Sequence, residues 1–136
     1  MKRLFLILLT ASFLFTGCSI LQISPSVDSA QYEMLGRDIG SYLNVKKPEF
    51  VAQSVPWVEG ALTLTDEQLI NGNVLQAAYE YALKANPEDA EFILLIKSSI
   101  NILGIKIDAS QLLPEEKPKY VECVRGVLKG YAAAIK

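Results

Sequence analysis

The side chains in this chain that could do chemistry are few. No histidine is present among 136 residues, which removes imidazole triads and dyads, His-x-x-x-His zinc sites and the Glu-x-x-His pattern of di-iron bundles. Of the two cysteines, Cys18 and Cys123, the second would need a histidine to activate it as a nucleophile. Carboxylates gather as Asp66/Glu67, Glu88/Asp89/Glu91 and Glu115/Glu116. Two acids about 5 to 9.5 Å apart could serve as the acid and base of a peptidoglycan-cleaving enzyme, and a denser cluster could hold calcium. Each cluster, however, falls in the first turn of an expected helix, where negative charge stabilises the terminus, so a structural role accounts for all three. EF-hand spacing, phosphate-cradling glycine loops and Gly-x-Ser-x-Gly are absent from the sequence. The chain therefore reads as non-enzymatic, with no metal or cofactor.

The remaining candidates are aromatic. Trp57 is the single tryptophan, beside Pro56, and six tyrosines accompany it. Trp57 and Tyr79 are the candidate interface residues, since exposed Trp and Tyr anchor protein partners. Core packing explains the same residues.

The N-terminus carries an address. Lys2 and Arg3 precede residues 4–15, in which only Thr10 and Ser12 are not apolar, the build of a secretory signal peptide. As a helix, such a stretch rises about 18 Å, short of the roughly 30 Å needed to span a bilayer core. Leu14-Phe15-Thr16-Gly17-Cys18 resembles the lipobox of bacterial lipoproteins, with Phe15 where leucine is usual. The resemblance covers residues 1–18. It implies that residues 1–17 are removed and that Cys18 is lipidated, carrying a thioether diacylglycerol and an amide-linked acyl chain. Several chains suffice for stable anchoring where one does not. It also implies, in a Gram-negative host, the periplasmic face of the outer membrane, because Ser19 stands where aspartate would retain the protein at the inner membrane.

Loss of Lys2 and Arg3 leaves 11 of the 13 basic side chains against all 15 acidic ones, a net charge of −4. With no basic patch, nucleic acid is not an expected partner, nor is electrostatic docking on anionic lipid. Residues 18–25 form the lipidated cysteine and a short tether; the seven after Cys18 span at most about 24 Å extended, so the domain over 26–136 must sit close to its membrane.

That domain is expected to be all-α, a compact bundle of four or five helices built from antiparallel hairpins around a central apolar helix. Ser26 or Asp28 caps a first helix with Tyr32, Leu35, Gly36, Ile39, Tyr42 and Leu43 on one face. Pro48 opens a second, with Val51, Val55, Val58 and Leu62 on one stripe and Phe50, Trp57 and Ala61 on another; Pro56 either kinks it or divides it. Thr65 and Gln68 have capping-box spacing, and Asn71-Gly72-Asn73 interrupts the helix they start. Its buried face is expected to hold Val74, Ala77, Ala78, Tyr81, Ala82 and Ala85, small residues that admit a close neighbour. After Asn86-Pro87, a run from Phe92 through Leu103 to Gly104 is apolar on nearly every side and predicts the buried centre, with Ile93, Ile96 and Ile100 in the core. Residues 105–113 read as an extended crossing, with Ile105 and Ile107 alternating. A last helix from Pro114 presents Tyr120, Val124, Val127, Leu128, Tyr131 and Ile135, and its flanking Gly126 and Gly130 permit close packing.

Tyr79-x-x-Ala82-Leu83-x-x-x-Pro87 resembles the second half of a tetratricopeptide repeat, without a second copy; such arrays need about three. A plain helix pair accounts for it too. By elimination, the leading functional reading is a non-enzymatic accessory module that binds an envelope protein near the membrane. A small-ligand-binding module beside a transporter is the alternative, marked by a tyrosine-lined apolar pocket between helices. A host-protective lipoprotein of a mobile element is also compatible.

The lipobox reading makes a direct prediction. Mass spectrometry of the chain recovered from membranes is expected to show acylated Cys18 as the first mature residue, and Cys18→Ala to release or misprocess the protein. An unmodified soluble chain beginning elsewhere would overturn it.

Overall fold

Asp28 opens the first helix by a reciprocal cap. Its carboxylate accepts from the Gln31 backbone amide at 3.1 Å, and the Gln31 side chain accepts from the Asp28 amide at 2.9 Å, satisfying two donors that a helix start otherwise orphans. The computed structural model describes residues 27–136; the expected leader, Cys18 and its tether lie outside the described residues. From this cap α1 runs over Ser29–Lys46, and α2 follows over Pro48–Leu62, with Pro48 at a position whose amide needs no helical partner. The helix continues through Pro56. The amide that Pro56 lacks would have bonded the Ala52 carbonyl, and both residues are exposed, so water can take its place.

The Thr65/Gln68 capping box starts α3, Asp66–Asn71, as the sequence predicts. Asn73 then adopts a left-handed φ of 48°, a conformation asparagine tolerates better than most. Its side chain donates to Asp108 at 3.1 Å and accepts from the Ala109 amide at 2.9 Å, which pins this turn to a distant loop. Beyond it come α4, Val74–Ala85, and α5, Ala90–Ile102. Gly104 ends α5 at φ +62°, while the Ile105 amide reaches the Ile100 carbonyl and the Gly104 amide that of Asn101, the paired bonds of a Schellman stop. The crossing segment ends in a 3-10 turn, Ala109–Gln111, and the last helix, expected from Pro114, is preceded by a second 3-10 turn over Pro114–Glu116 and runs as α6 over Lys117–Ala134. The fold is all-α and compact, with six α-helices and no strand among the described residues.

The centre, however, is not α5. Only Phe92 and Ile96 of α5 are buried; Ile93 and Ile100 are half-buried, and Leu94 and Ile102 are 67% and 80% exposed. By contrast α6 buries eight residues, Val124 and Tyr131 among them. Five consecutive apolar residues on a helix point in every direction, so they cannot all meet one core, and hydrophobicity alone does not choose the axis.

What chooses it is backbone approach. The most extensive packing in the fold joins α1 to α6. A Cβ at Gly36 would overlap the Val127 carbonyl, one at Gly130 the Glu33 carbonyl, and one at Gly126 would sit 2.7 Å from the Tyr32 Cβ. Gly40 faces Ala134 and Tyr131 in the same way. Because Ser29 meets Gly126, Glu33 meets Gly130 and Gly40 meets Ala134, the two helices run parallel. The expected antiparallel hairpins thus do not supply the central pair. Side by side, their N-terminal ends draw Glu122 toward α1, where it accepts from the Ser29 hydroxyl at 3.0 Å; that bond and the neighbouring Lys119 hold its carboxyl below the usual range.

A graded pair of substitutions tests this axis. Gly130→Ala is expected to lower stability by about 3 kcal/mol, at the upper end of ordinary overpacking because the clash is with backbone. Gly60→Ala, on α2 with nothing within 4 Å of its Cβ, is expected to stabilise by about 0.5–1 kcal/mol. Urea unfolding of the two variants measures both.

Candidate functional site

Away from the glycine axis the helices stand further apart, and the side chains of α4 explain why. Its inward residues are Val74, Leu75, Ala78, Tyr79 and Ala82, whereas Ala77, Tyr81 and Ala85, expected in the core, are exposed. Alanines at 78 and 82 could admit a close helix, but α4 packs most closely on the short α3 at its own start. The space they leave is a cavity of about 130 Å³.

Five helices and one loop build its wall. Leu35 and Ile39 come from α1, Phe50, Ser54 and Trp57 from α2, and Ala78, Tyr79 and Tyr81 from α4. Ile96 and Ile100 of α5 face it, as do Ile105 and Ile107 of the crossing segment and Leu128 and Tyr131 of α6. The wall passes from fully buried Leu43 to Trp57 and Tyr81, which are 44% and 49% exposed and so stand at the mouth. Phe50 stacks on Tyr81 with ring centroids 5.3 Å apart, which fixes one side of that mouth.

Among the described residues no charged side chain lines the cavity. Its buried polar feature is a hydroxyl pair: Ser54 Oγ lies 2.6 Å from the Tyr131 hydroxyl and 2.7 Å from the Val51 carbonyl. Burial raises the Tyr131 pKa, against the lowering effect of the Ser54 bond, so the phenol stays protonated. An empty apolar cavity of about 150 Å³ in a protein core binds benzene-sized molecules; the volume here is of that order. The arrangement suits recognition of an uncharged, apolar guest.

The two aromatic residues singled out in the sequence, Trp57 and Tyr79, are brought together on this wall. Sequence reasoning missed Ser54, Tyr131 and Tyr81 as its members. The alternation of Ile105 and Ile107 was a signal for the loop's part, since residues two apart in an extended segment point the same way.

The carboxylates have other occupations. Asp89 caps α5, accepting from the Phe92 amide at 3.0 Å, and takes the Tyr42 hydroxyl at 2.9 Å; these bonds depress its pKa, the amide first. Asp66 pairs with Arg125 at 2.6 Å, and Arg125 also donates to the Leu64 carbonyl at 3.0 Å, tying α6 to the start of α3. Glu116 accepts from the Leu113 amide at 3.0 Å and pairs with Lys106 at 2.5 Å, and Lys106 is the main reason its pKa is lowered. Among the described residues no cluster of three or more His, Cys, Asp or Glu is placed to hold a metal ion. No helix among them is long and apolar enough to cross a membrane.

Cys123, on α6, is 3% exposed. Burial pushes its thiol up to about 12 from an ordinary value near 9.

No protein-family model, curated protein or solved structure matches the chain.

The thiol yields a prediction with a definite sign. In the Cys18→Ala chain, reaction of Cys123 with a disulfide reagent is expected to be suppressed at least about four-thousandfold relative to the denatured chain, since exposure requires unfolding against about 5 kcal/mol or more. Between pH 9 and 12 the unfolded thiol ionises while the folded one does not, so stability falls as pH rises through that window. Cys123→Ala is expected to remove the thiol's share of this alkaline loss and leave that of Tyr32, which burial pushes up to about 12, measured as unfolding midpoint against pH.

Proposed function

We propose that this chain is a non-enzymatic cell-envelope lipoprotein, anchored through Cys18, whose helical domain holds a small apolar molecule in the cavity between α1, α2, α4, α5 and α6. The cavity carries the reading: it has the tyrosines, the apolar wall and the unfilled volume that separate a ligand-binding module from a purely surface-docking one. The lipobox-like residues 14–18 support the anchoring, and with it a place on the periplasmic face of the outer membrane in a Gram-negative host.

A second reading, an accessory module that docks an envelope protein, draws on Leu94 and Ile102, both exposed on α5, and on the reach of Trp57 and Tyr81 into solvent. The two readings differ in where a substitution inside the cavity acts. Binding in the cavity is blocked by filling it, whereas docking on α5 is not.

Trp57, as the only tryptophan, is a built-in reporter. Titration of the full chain with toluene is expected to change Trp57 emission saturably and, at ten times Kd, to stabilise the fold by about 1.4 kcal/mol, or about 5 °C in Tm. Ala78→Leu, which fills the space beside Tyr79, is expected to abolish both responses while retaining the helical circular dichroism spectrum. An unchanged Trp57 signal and Tm in the parent chain would reject the ligand-binding reading.

A further inference from the structure

The cavity is long in proportion to its volume. Along α1 its wall runs from Leu35 to Leu43 and along α2 from Phe50 to Val58, in each case about 12 Å of helix at 1.5 Å per residue. A space of about 130 Å³ drawn out over that length is a narrow trough, not a rounded hollow. The wall is apolar almost throughout, and the buried Ser54 and Tyr131 hydroxyls are already bonded to each other. A polar group carried inward would lose its water there without replacement. Trp57 and Tyr81, half in solvent at the mouth, are rings of the kind that suit a boundary between apolar and wet surroundings.

The chain outside the described residues bears on which apolar molecules the trough meets. Eight residues separate Cys18 from Val27, a span of at most about 29 Å. An anchored domain stands within that distance of a bilayer, whose hydrocarbon consists of unbranched tails on polar heads. We propose that the trough takes one such tail from a separate membrane amphiphile, methyl end inward, with the head left in water beside Trp57 and Tyr81. The inference rests on the ligand-binding reading and on the Cys18 anchor, and it adds the shape of the guest. Recognition is by length and thickness. Each methylene drawn out of water adds to affinity until the trough is full, and a compact guest strains its walls.

Alkanols of four, six, eight and ten carbons test length, cyclooctanol tests thickness, and octanoate and octyltrimethylammonium exchange the head. Each is titrated below its micellar concentration against the full chain on phosphatidylcholine vesicles, with Trp57 emission plotted against free aqueous probe. Affinity is expected to rise about fourfold per methylene among the shorter alcohols and then to level off. Cyclooctanol is expected to bind about tenfold more weakly than octanol. The two charged octyl probes are expected to stay within about threefold of octanol, because a head left outside keeps its hydration. Ala78→Leu is expected to remove every response, and Ala82→Leu takes its place should that variant lose its helical spectrum. Loss of binding by both charged probes, cyclooctanol binding as tightly as octanol, or no dependence on length overturns the inference while leaving the cavity as a ligand site. A tenfold or greater gain in octanol affinity in Cys18→Ala would make the chain's own acyl group the occupant, and the separate guest would be rejected. Absence of any saturable response to all the probes, together with none to toluene, instead overturns the ligand-binding reading itself.

Discussion

Everything in this fold is arranged around the contact of α1 with α6 through glycines at 36, 40, 126 and 130. Without a Cβ at those positions the two backbones meet directly, and residues on either side of the crossing, such as Leu35, Val124 and Tyr131, are buried as a consequence. Close backbone approach gains dispersion contacts along the whole crossing, yet it sets two helix dipoles parallel, which is unfavourable at both ends. The pairing of Glu122 with Ser29 at the N-terminal end offsets part of that cost. The remaining helices fit themselves to this pair, and Arg125 and the Asn73–Asp108 bridge tie α3 and the crossing loop back to it.

The cavity is the complement of that axis. Glycine draws backbones together only where it is placed, and neither α4 nor α5 has a glycine facing the other. Alanines at 78 and 82 are too small to fill the gap and too large to close it by backbone contact. Rigid walls from α1 and α6 then face a more loosely held side formed by α4, α5 and the crossing segment. Tyr131 belongs to the side built on the glycine axis and Trp57 and Tyr81 to the mouth.

Local signals were legible in the sequence and competitive ones were not. The caps at Asp28 and Thr65, the turn at residues 71–73 and the Gly104 stop each depend on a few neighbouring residues, and each is found as expected; Asp89, expected within the first turn of α5, instead caps it. Gly126 and Gly130 were readable as a close-packing flank, but Gly40 was not, because a glycine inside an amphipathic pattern gives no sign of what approaches it. The misplaced centre has the same origin: the run at residues 92–96 is the most apolar in the domain, yet burial is settled by which partner can come nearest, information that resides in another helix. Trp57 and Tyr79 stood out by type, whereas Ser54 looked like any helical serine until Tyr131 was beside it. Its role depends on a contact across 77 residues of chain.

Leaving such a space unfilled forgoes packing contacts. The apolar side chains that line it lack the dispersion contacts that a filled core would give them. Larger side chains at 78 or 82 would restore part of them without changing any of the glycines at 36, 40, 126 and 130. The proposed ligand-binding reading takes this space, lined by aromatic rings and the Ser54–Tyr131 hydroxyl pair, as a site for a guest. The guest would return the lost contacts, so the domain's stability and its occupancy are two readings of one equilibrium.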